Sequence, residues 1–330
     1  MAAGKRDALV LCVGDSTTAG AYSAGATQYL AARAGSWPSV LAGLIGANDD
    51  AWNGNNSITG VTQLQYDPRW VAATSWSGSV NTLGGLHLLN SSNANPLSRT
   101  PTYPWDFVDI WTPQNSGLGS MTADVDGGAT TTINENATAL LVKTVVTASG
   151  GVGTHTLNLK RVSGQAYVGG LVFHNSAQKR INICNAGQSG AAIASFVANS
   201  TPWDALPVLK ALAPDLTIIC LTINDADGGP TAIATFMANT QILINAAKLS
   251  GDVILMTGAQ SDPGTYPLAT QQIYASAYRV LAARNRLILI DTFSAWGGYA
   301  QANANGWMAD PQHPDGTGYG LKAKAVAAVL

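Results

Sequence analysis

The chain has 330 residues, 46% hydrophobic and 11% charged, with a formal net charge of -2. That length supports one large domain or two ordinary ones, and without any Lys/Arg-rich run the charge offers no electrostatic case for nucleic acid. No apolar run reaches the roughly 18 residues of a membrane helix, so no membrane partner is expected.

Ala8–Val13, ALVLCV, is the first predicted strand. It flows directly into the polar turn GDSTTAG (Gly14–Gly20), which argues against a signal peptide. Ser36–Gly46, SWPSVLAGLIG, follows as a short helix with Pro38 in its first turn and Gly46 as its stop.

Residues 51–178 change texture. WDFVDIWT (Trp105–Thr112), SMTADVDGG (Ser120–Gly128), NATALLVKTVV (Asn136–Val146), THTLNLKRV (Thr154–Val162) and AYVGGLVFHN (Ala166–Asn175) are short strand-like runs. Gly/Ser turns separate several of them, which predicts an antiparallel sandwich or jelly roll. The stretch is too long for a loop, so 51–178 is expected to be an inserted all-β domain.

Beyond it, RINICNAGQSG (Arg180–Gly190) supplies a strand and a Gly-rich turn. DLTIICLTIND (Asp215–Asp225) is nearly all apolar, as a strand covered on both faces should be. Thr231–Leu249 places Ile233, Met237, Thr240, Ile244 and Ala247 at helical spacing. The strand DVILMTG and the helix Ala269–Arg284 come next, the latter with Ile273, Ala277, Val280 and Leu281 on one face. RLILIDTF is the last strand, and Asp315–Leu330 is a final helix that stops without a C-terminal cap. This alternation predicts an α/β domain, residues 1–50 and 179–330, with a parallel sheet and helices on both faces. Cys12, Cys184 and Cys220 lie in apolar strands and read as buried thiols.

Parallel strands deliver their C-terminal turns to one edge of the sheet. The turns are GDSTTAG, NAGQSG, TINDADGG and, before the last helix, DPQHPDG (Asp310–Gly316). A phosphate-binding reading of the first fails, because no Lys follows Gly20 and the glycine spacing is wrong. A nucleophile reading has a partner. Asp310 can hold the Nδ1 proton of His313, leaving Nε2 free to take a proton from Ser16. Asn224 can donate its amide to an oxyanion or close an Asx turn. Gly187 can offer an unobstructed N–H or form a plain turn. Ser189 in GQSGA is a rival nucleophile whose last glycine is replaced by Ala191. Asp225 and Asp227 read as solvated acids, and no metal-ligand spacing occurs. His87, His155 and His174 are expected in surface or structural roles.

Together the four turns resemble the blocks of the GDSL/SGNH hydrolase superfamily: GDS at Gly14–Ser16, NAGQS at Asn185–Ser189, IND at Ile223–Asp225 and DPQHP at Asp310–Pro314. Thr222 stands where that pattern has glycine. The resemblance implies a flavodoxin-like three-layer α/β/α fold and a triad of Ser16, His313 and Asp310. It also implies an oxyanion hole of the Ser16 and Gly187 N–H groups with the Asn224 amide, and no cofactor or metal. Members with such an insertion tend to be polysaccharide esterases whose insertion resembles a carbohydrate-binding module. The implied partner is therefore an acylated polysaccharide losing short acyl groups, most simply acetyl. Other readings are a lipase or thioesterase for longer chains, or a glycan-binding protein in which Trp76, Trp105 and Trp111 stack on sugars. The low charge and Gly/Thr/Asn-rich strands also look like phage tail-associated deacetylases, which would act on a virion or outside the cell.

Overall fold

The computed structural model of the protein describes residues 7–25, 28–50, 66–72, 76–92, 95–227 and 229–330. Its strands are β1 Ala8–Gly14, β2 Asn48–Asp50, β3 Trp70–Ala72, β4 Ser77–Thr82, β5 Gly85–Asn90, β6 Leu97–Arg99, β7 Phe107–Gln114, β8 Ser120–Val125 and β9 Thr131–Asn134. They continue with β10 Leu140–Thr147, β11 Leu157–Ser163, β12 Ala166–Val168, β13 Gly170–His174, β14 Ile181–Gly187, β15 Leu216–Cys220, β16 Asp252–Met256 and β17 Ile288–Ile290.

Six strands form a parallel sheet in the order β17-β16-β15-β1-β14-β2. Its side chains alternate between two apolar layers, as strand geometry requires. Leu11, Val13, Cys184, Ala186, Ile219 and Leu255 face Phe236, Leu243, Ile244, Tyr274 and Tyr278 on one side. Val10, Cys12, Ile183, Ile218, Cys220 and Met256 face Trp37, Leu41, Tyr319, Ala323 and Val326 on the other. The expected parallel sheet with helices on both faces is therefore present, and the three cysteines are buried thiols. From β1 the chain reaches β14 on one side and β15 on the other, a topological switch that opens a crevice at their carboxyl ends.

Two helix faces differ from expectation. In Leu268–Asn285 the buried residues include Tyr274, Tyr278 and Leu281, whereas Ile273 is 52% exposed and Val280 41%. Tyrosine hydroxyls explain the rotation, because Tyr278 Oη accepts from Leu221 N–H at 3.2 Å while its ring packs on Phe236. In Ile233–Ala247 the buried face includes Phe236, Thr240, Leu243 and Ile244, leaving Ile233 38% exposed. The last helix is Gly316–Ala327, its N-terminus capped by Asp315 Oδ1 on Gly318 N–H.

Between β2 and β14 the strands pair antiparallel in three sheets: β10-β7-β13, β3-β6-β11-β8-β9 and β12-β5-β4. They share a second core that includes Trp70, Trp76, Trp105, Val108, Ile110, Leu157, Leu171 and Phe173. AYVGGLVFHN is two strands, not one: β12 pairs with β5, and β13 pairs with β7 after a break at Gly169. Alternation along β7 and β13 sends Ile110 and Phe173 into this core, while Trp111 and Val172 join the parallel-sheet core. Trp76, Trp105 and Trp111 are thus interior residues, at most 9% exposed, and present no sugar-stacking face.

Charge ties the two regions together as well. Asp67 accepts from Arg69 and Arg99 and lies 3.7 Å from Arg33 Nε, while Asp49 pairs with Arg33 and Arg69. Burial pushes the Asp67 carboxyl up, but Arg99, Arg69 and Arg33 together hold it well below the usual range. His174 bridges Asp7, at the entry to β1, and Asp109 on β7. His155 is held by Asp126 Oδ2 and the Gly151 carbonyl, and the His87 side chain lies outside the described residues. Among the described residues, no helix is long and apolar enough to cross a membrane.

Candidate active site

Asp15 sets the first turn. Its Oδ1 accepts from Thr17 N–H at 2.8 Å and from Thr17 Oγ1 at 2.9 Å, capping the one-turn helix Ser16–Ala19. Gly14 is required just before it, since a Cβ there would stand 2.0 Å from Thr18 Oγ1 and 2.8 Å from the Cys220 carbonyl. Ser16 is consequently held at the carboxyl end of β1, beside the ends of β14 and β15.

The DPQHP loop comes to meet it. Asp310 Oδ1 accepts from Gln312 N–H at 2.7 Å and His313 N–H at 2.6 Å, so the carboxylate folds its own loop. The same carboxylate contacts His313 Nδ1 at 2.8 Å, and His313 Nε2 lies 2.9 Å from Ser16 Oγ. Burial pushes the Asp310 carboxyl up, but the hydrogen bond and charge of His313 and the two loop N–H groups outweigh it and hold it below the usual carboxylate range. Gln312 Nε2 reaches Asp227 Oδ2, and Asp262 N–H donates to the Pro311 carbonyl, anchoring the loop to neighbouring turns.

Asn224 lies in a helical turn, Ile223–Asp227, and not in an Asx turn. Its Nδ2 donates to the Ala191 carbonyl at 3.0 Å, and an amide nitrogen carries a second hydrogen. Thr222, where the family pattern has glycine, accepts from Gly258 N–H at 3.0 Å and so ties the end of β15 to that of β16. The acids beside Asn224 are not solvated as expected. Asp225 is 1% exposed and accepts from Ile193 N–H, while Asp227 accepts from Ser261 Oγ. Burial pushes both carboxyls up.

The Gly187 N–H is not unobstructed, because it donates to Asn185 Oδ1 at 2.9 Å. What demands glycine there is close approach: a Cβ would meet Ala19 N at 2.2 Å and Thr18 C at 2.6 Å. Asn185, to which the sequence reading assigned no role, also donates through Nδ2 to the Thr18 carbonyl and to Ser36 Oγ. Ser189 faces Tyr29 Oη and no base; burial pushes the Tyr29 hydroxyl up to about 12. Two further neighbours carried no sequence signal. Tyr22, at φ 63°, holds its ring 5.6 Å from the His313 imidazole. Lys322, from the last helix, is wholly buried with Nζ 3.2 Å from Thr17 Oγ1.

The structure therefore brings Ser16, His313 and Asp310 into one hydrogen-bonded series, and leaves Ser189 outside it. Such a series can move a proton from a serine hydroxyl to an imidazole whose far side is held by a carboxylate.

Comparison with known proteins bears on the family and the fold. The profile of the GDSL-like Lipase/Acylhydrolase family matches residues 147–321, more than half of the chain. No curated protein sequence matches the chain. Among solved structures, a peptidoglycan O-acetylesterase superimposes with a TM-score of 0.71 at 18% identity, covering 98% of this chain and 90% of its own; it shares the fold. A lipase/acylhydrolase from Enterococcus faecalis gives 0.39 at 23% identity over 46% of this chain and 76% of its own. A family two carbohydrate esterase from Clostridium thermocellum gives 0.35 at 12% over 79% and 97%. These last two superpositions are too loose to bear on the site. The chain belongs to the GDSL-like lipase/acylhydrolase family and is a carboxylic ester hydrolase.

Proposed function

We propose that the protein is a serine esterase that removes short acyl groups, acetyl above all, from a polysaccharide. The observation that carries this reading is the series Ser16 Oγ, His313 Nε2 at 2.9 Å, and Asp310 Oδ2 at 2.8 Å from Nδ1. Ser16 Oγ attacks the ester carbonyl as His313 takes its proton. The C–O bond to the sugar then breaks, and His313 returns the proton to the departing alcohol. Water, deprotonated by His313, attacks the acyl-serine; the C–O bond to Ser16 breaks, His313 returns the proton to Ser16 Oγ, and the carboxylic acid is released. Asp310 keeps Nδ1 protonated and offsets the imidazolium charge throughout.

The developing oxyanion is held by the Ser16 N–H and the second Asn224 amide hydrogen. The Gly187 N–H joins them as a donor shared with Asn185 Oδ1. Each such donor lowers the barrier by about 3 kcal/mol. We read residues 51–178 as an inserted all-β sandwich resembling a carbohydrate-binding module, within a hydrolase formed by 1–50 and 179–330. A core made only of residues within 70–173 supports that division, while Leu83, Trp111 and Val172 pack the insertion onto the hydrolase core. A polysaccharide substrate implies action outside the cytoplasm, as on a virion or after secretion. The buried Trp76, Trp105 and Trp111 count against a purely glycan-binding protein that uses them.

The test is acetate release from a panel of O-acetylated polysaccharides, peptidoglycan included, with burst kinetics on p-nitrophenyl acetate. A chain-length series of p-nitrophenyl esters separates acetyl from longer acyl groups. Full activity in Ser16→Ala would overturn the mechanism, and preference for long chains would overturn the substrate class.

A further inference from the structure

Beneath the nucleophile turn lies a group that the acyl-transfer steps do not use. Lys322 is on the last helix, eight residues after the end of the DPQHP loop, and is 0% exposed. Lysine is almost never fully buried unless paired, because an ammonium out of water is costly without compensation. Its Nζ lies 3.2 Å from Thr17 Oγ1 and 3.7 Å from Cys220 Sγ. Thr17 Oγ1 in turn donates to Asp15 Oδ1, and Asp15 is 1% exposed. Lys322 thus spans three of the four turns that build the site. It sits on the helix that follows His313, touches the turn that carries Ser16, and touches the end of β15 that leads to Asn224.

We propose that Lys322 is a positioning residue: through Thr17 its buried ammonium keeps Asp15 ionised, and Asp15 in that form fixes Ser16 and its N–H for attack. A carboxylate accepts the N–H and O–H of Thr17 more strongly than a neutral carboxyl does. The polar and titratable groups around the pair come from every packed element. Asp15 and Thr17 belong to the first turn, and Cys220 to the end of β15. Tyr319 lies one helical turn back on the same helix, and His313 lies beyond Ser16. Burial pushes the Asp15 carboxyl above the usual range, and Lys322, the Thr17 bonds and His313 offset only part of that rise. Removing the ammonium leaves the carboxyl to protonate at higher pH, with loss of the charged cap. The inference rests on Ser16 as nucleophile for its kinetic arm only.

The experiment is a double-mutant cycle of Asp15→Asn and Lys322→Met in the full chain, read by thermal unfolding and by kinetics on p-nitrophenyl acetate. Each single variant leaves one buried charge without its counter-charge, whereas the double variant leaves neither. The double variant is therefore expected to melt above the level the two single losses add up to. Lys322→Met is expected to lower kcat on the order of 10²-fold with KM nearly unchanged. Its kcat should recover partly as pH rises, in a limb additional to the one that the general base His313 gives the parent enzyme. A packing role alone would move the melting temperature without adding that limb. Strict additivity of the unfolding losses overturns the charge pair even if Ser16 proves not to be the nucleophile. Coupled unfolding with an unaltered kcat and pH profile overturns the positioning role. If Lys322→Met does not fold, the unfolding losses of Asp15→Asn and of the double variant decide alone. A double variant less stable than Asp15→Asn overturns the pair.

Discussion

Replacing Gly187 with alanine tests whether site geometry depends on close approach at β14. The substitution keeps the backbone N–H and adds one methyl group. That methyl would stand 2.2 Å from Ala19 N, 2.6 Å from Thr18 C and 2.7 Å from Ala19 Cα, all backbone atoms of the helix that begins at Ser16. Ordinary contact needs at least 3.4 Å, so one backbone must retreat by about 1 Å. The helix has little freedom to do so. Asn185 Nδ2 holds the Thr18 carbonyl at 3.0 Å, Tyr66 Oη holds that of Ala19 at 2.7 Å, and Asp15 holds its start. Overpacking of this kind costs about 1–3 kcal/mol of stability. A displacement near 1 Å at Ser16 breaks its 2.9 Å contact with His313 Nε2 and lowers kcat on the order of 10²-fold. The assay is kcat on a short-chain ester with a melting curve on the same preparation. Because the N–H remains, a loss cannot come from a deleted oxyanion donor. Unchanged kcat and melting temperature in Gly187→Ala would refute the reasoning.

Three further outcomes are expected. Asp310→Asn leaves the loop able to close but lets Nδ1 lose its proton, and kcat should fall about 10³- to 10⁴-fold with KM little changed in steady-state kinetics. Asp67→Asn withdraws the carboxylate shared by Arg33, Arg69 and Arg99 and should cost about 3–5 kcal/mol in urea unfolding. Since the folded Asp67 value lies below the unfolded one, its contribution is present above about pH 4 and is lost as pH falls further. Glu135 is fully buried with Oε2 on Tyr167 N–H, and burial pushes its carboxyl up to about 9. The folded state therefore binds a proton that the unfolded chain releases, and stability declines as pH rises from the ordinary glutamate range to 9. Glu135→Gln should flatten that decline and raise the melting temperature at pH 8 by calorimetry.

The parts of the site legible in the sequence are those whose chemistry is local. Asp310 and His313 sit three residues apart, and the GDS turn follows an unbroken apolar strand. What escaped depends on distant partners. Lys322 shares a helix face with Tyr319, Ala323 and Val326, but a lysine there carries no core signal by type, and only the fold shows that it meets Thr17. Asn185 reads as part of a turn, although it binds Thr18 and Ser36 across the site. β2, whose sequence is NDD, has no apolar signal and is held by backbone pairing to β14. The buried face of Leu268–Asn285 was misread because tyrosines with partnered hydroxyls outcompete isoleucine and valine for the interior.

The polar tip of β1 follows the same logic. Asp15, Ser16, Thr17 and Thr18 are all buried, an arrangement that is costly unless every group finds a partner. Three of them do so structurally. Asp15 caps Thr17, Thr17 meets Lys322, and Thr18 accepts from Trp37 Nε1 while its carbonyl accepts from Asn185. Those partners come from the helix Trp37–Ile45, from β14 and from the last helix, so the turn acquires its shape only when the whole α/β unit has closed. Ser16 differs in one respect: the group facing its hydroxyl is itself oriented by a carboxylate on the opposite side. A serine built only to be satisfied needs no such second tier. The three flanking residues keep the turn rigid, and that rigidity is what lets one hydroxyl be aimed at an imidazole.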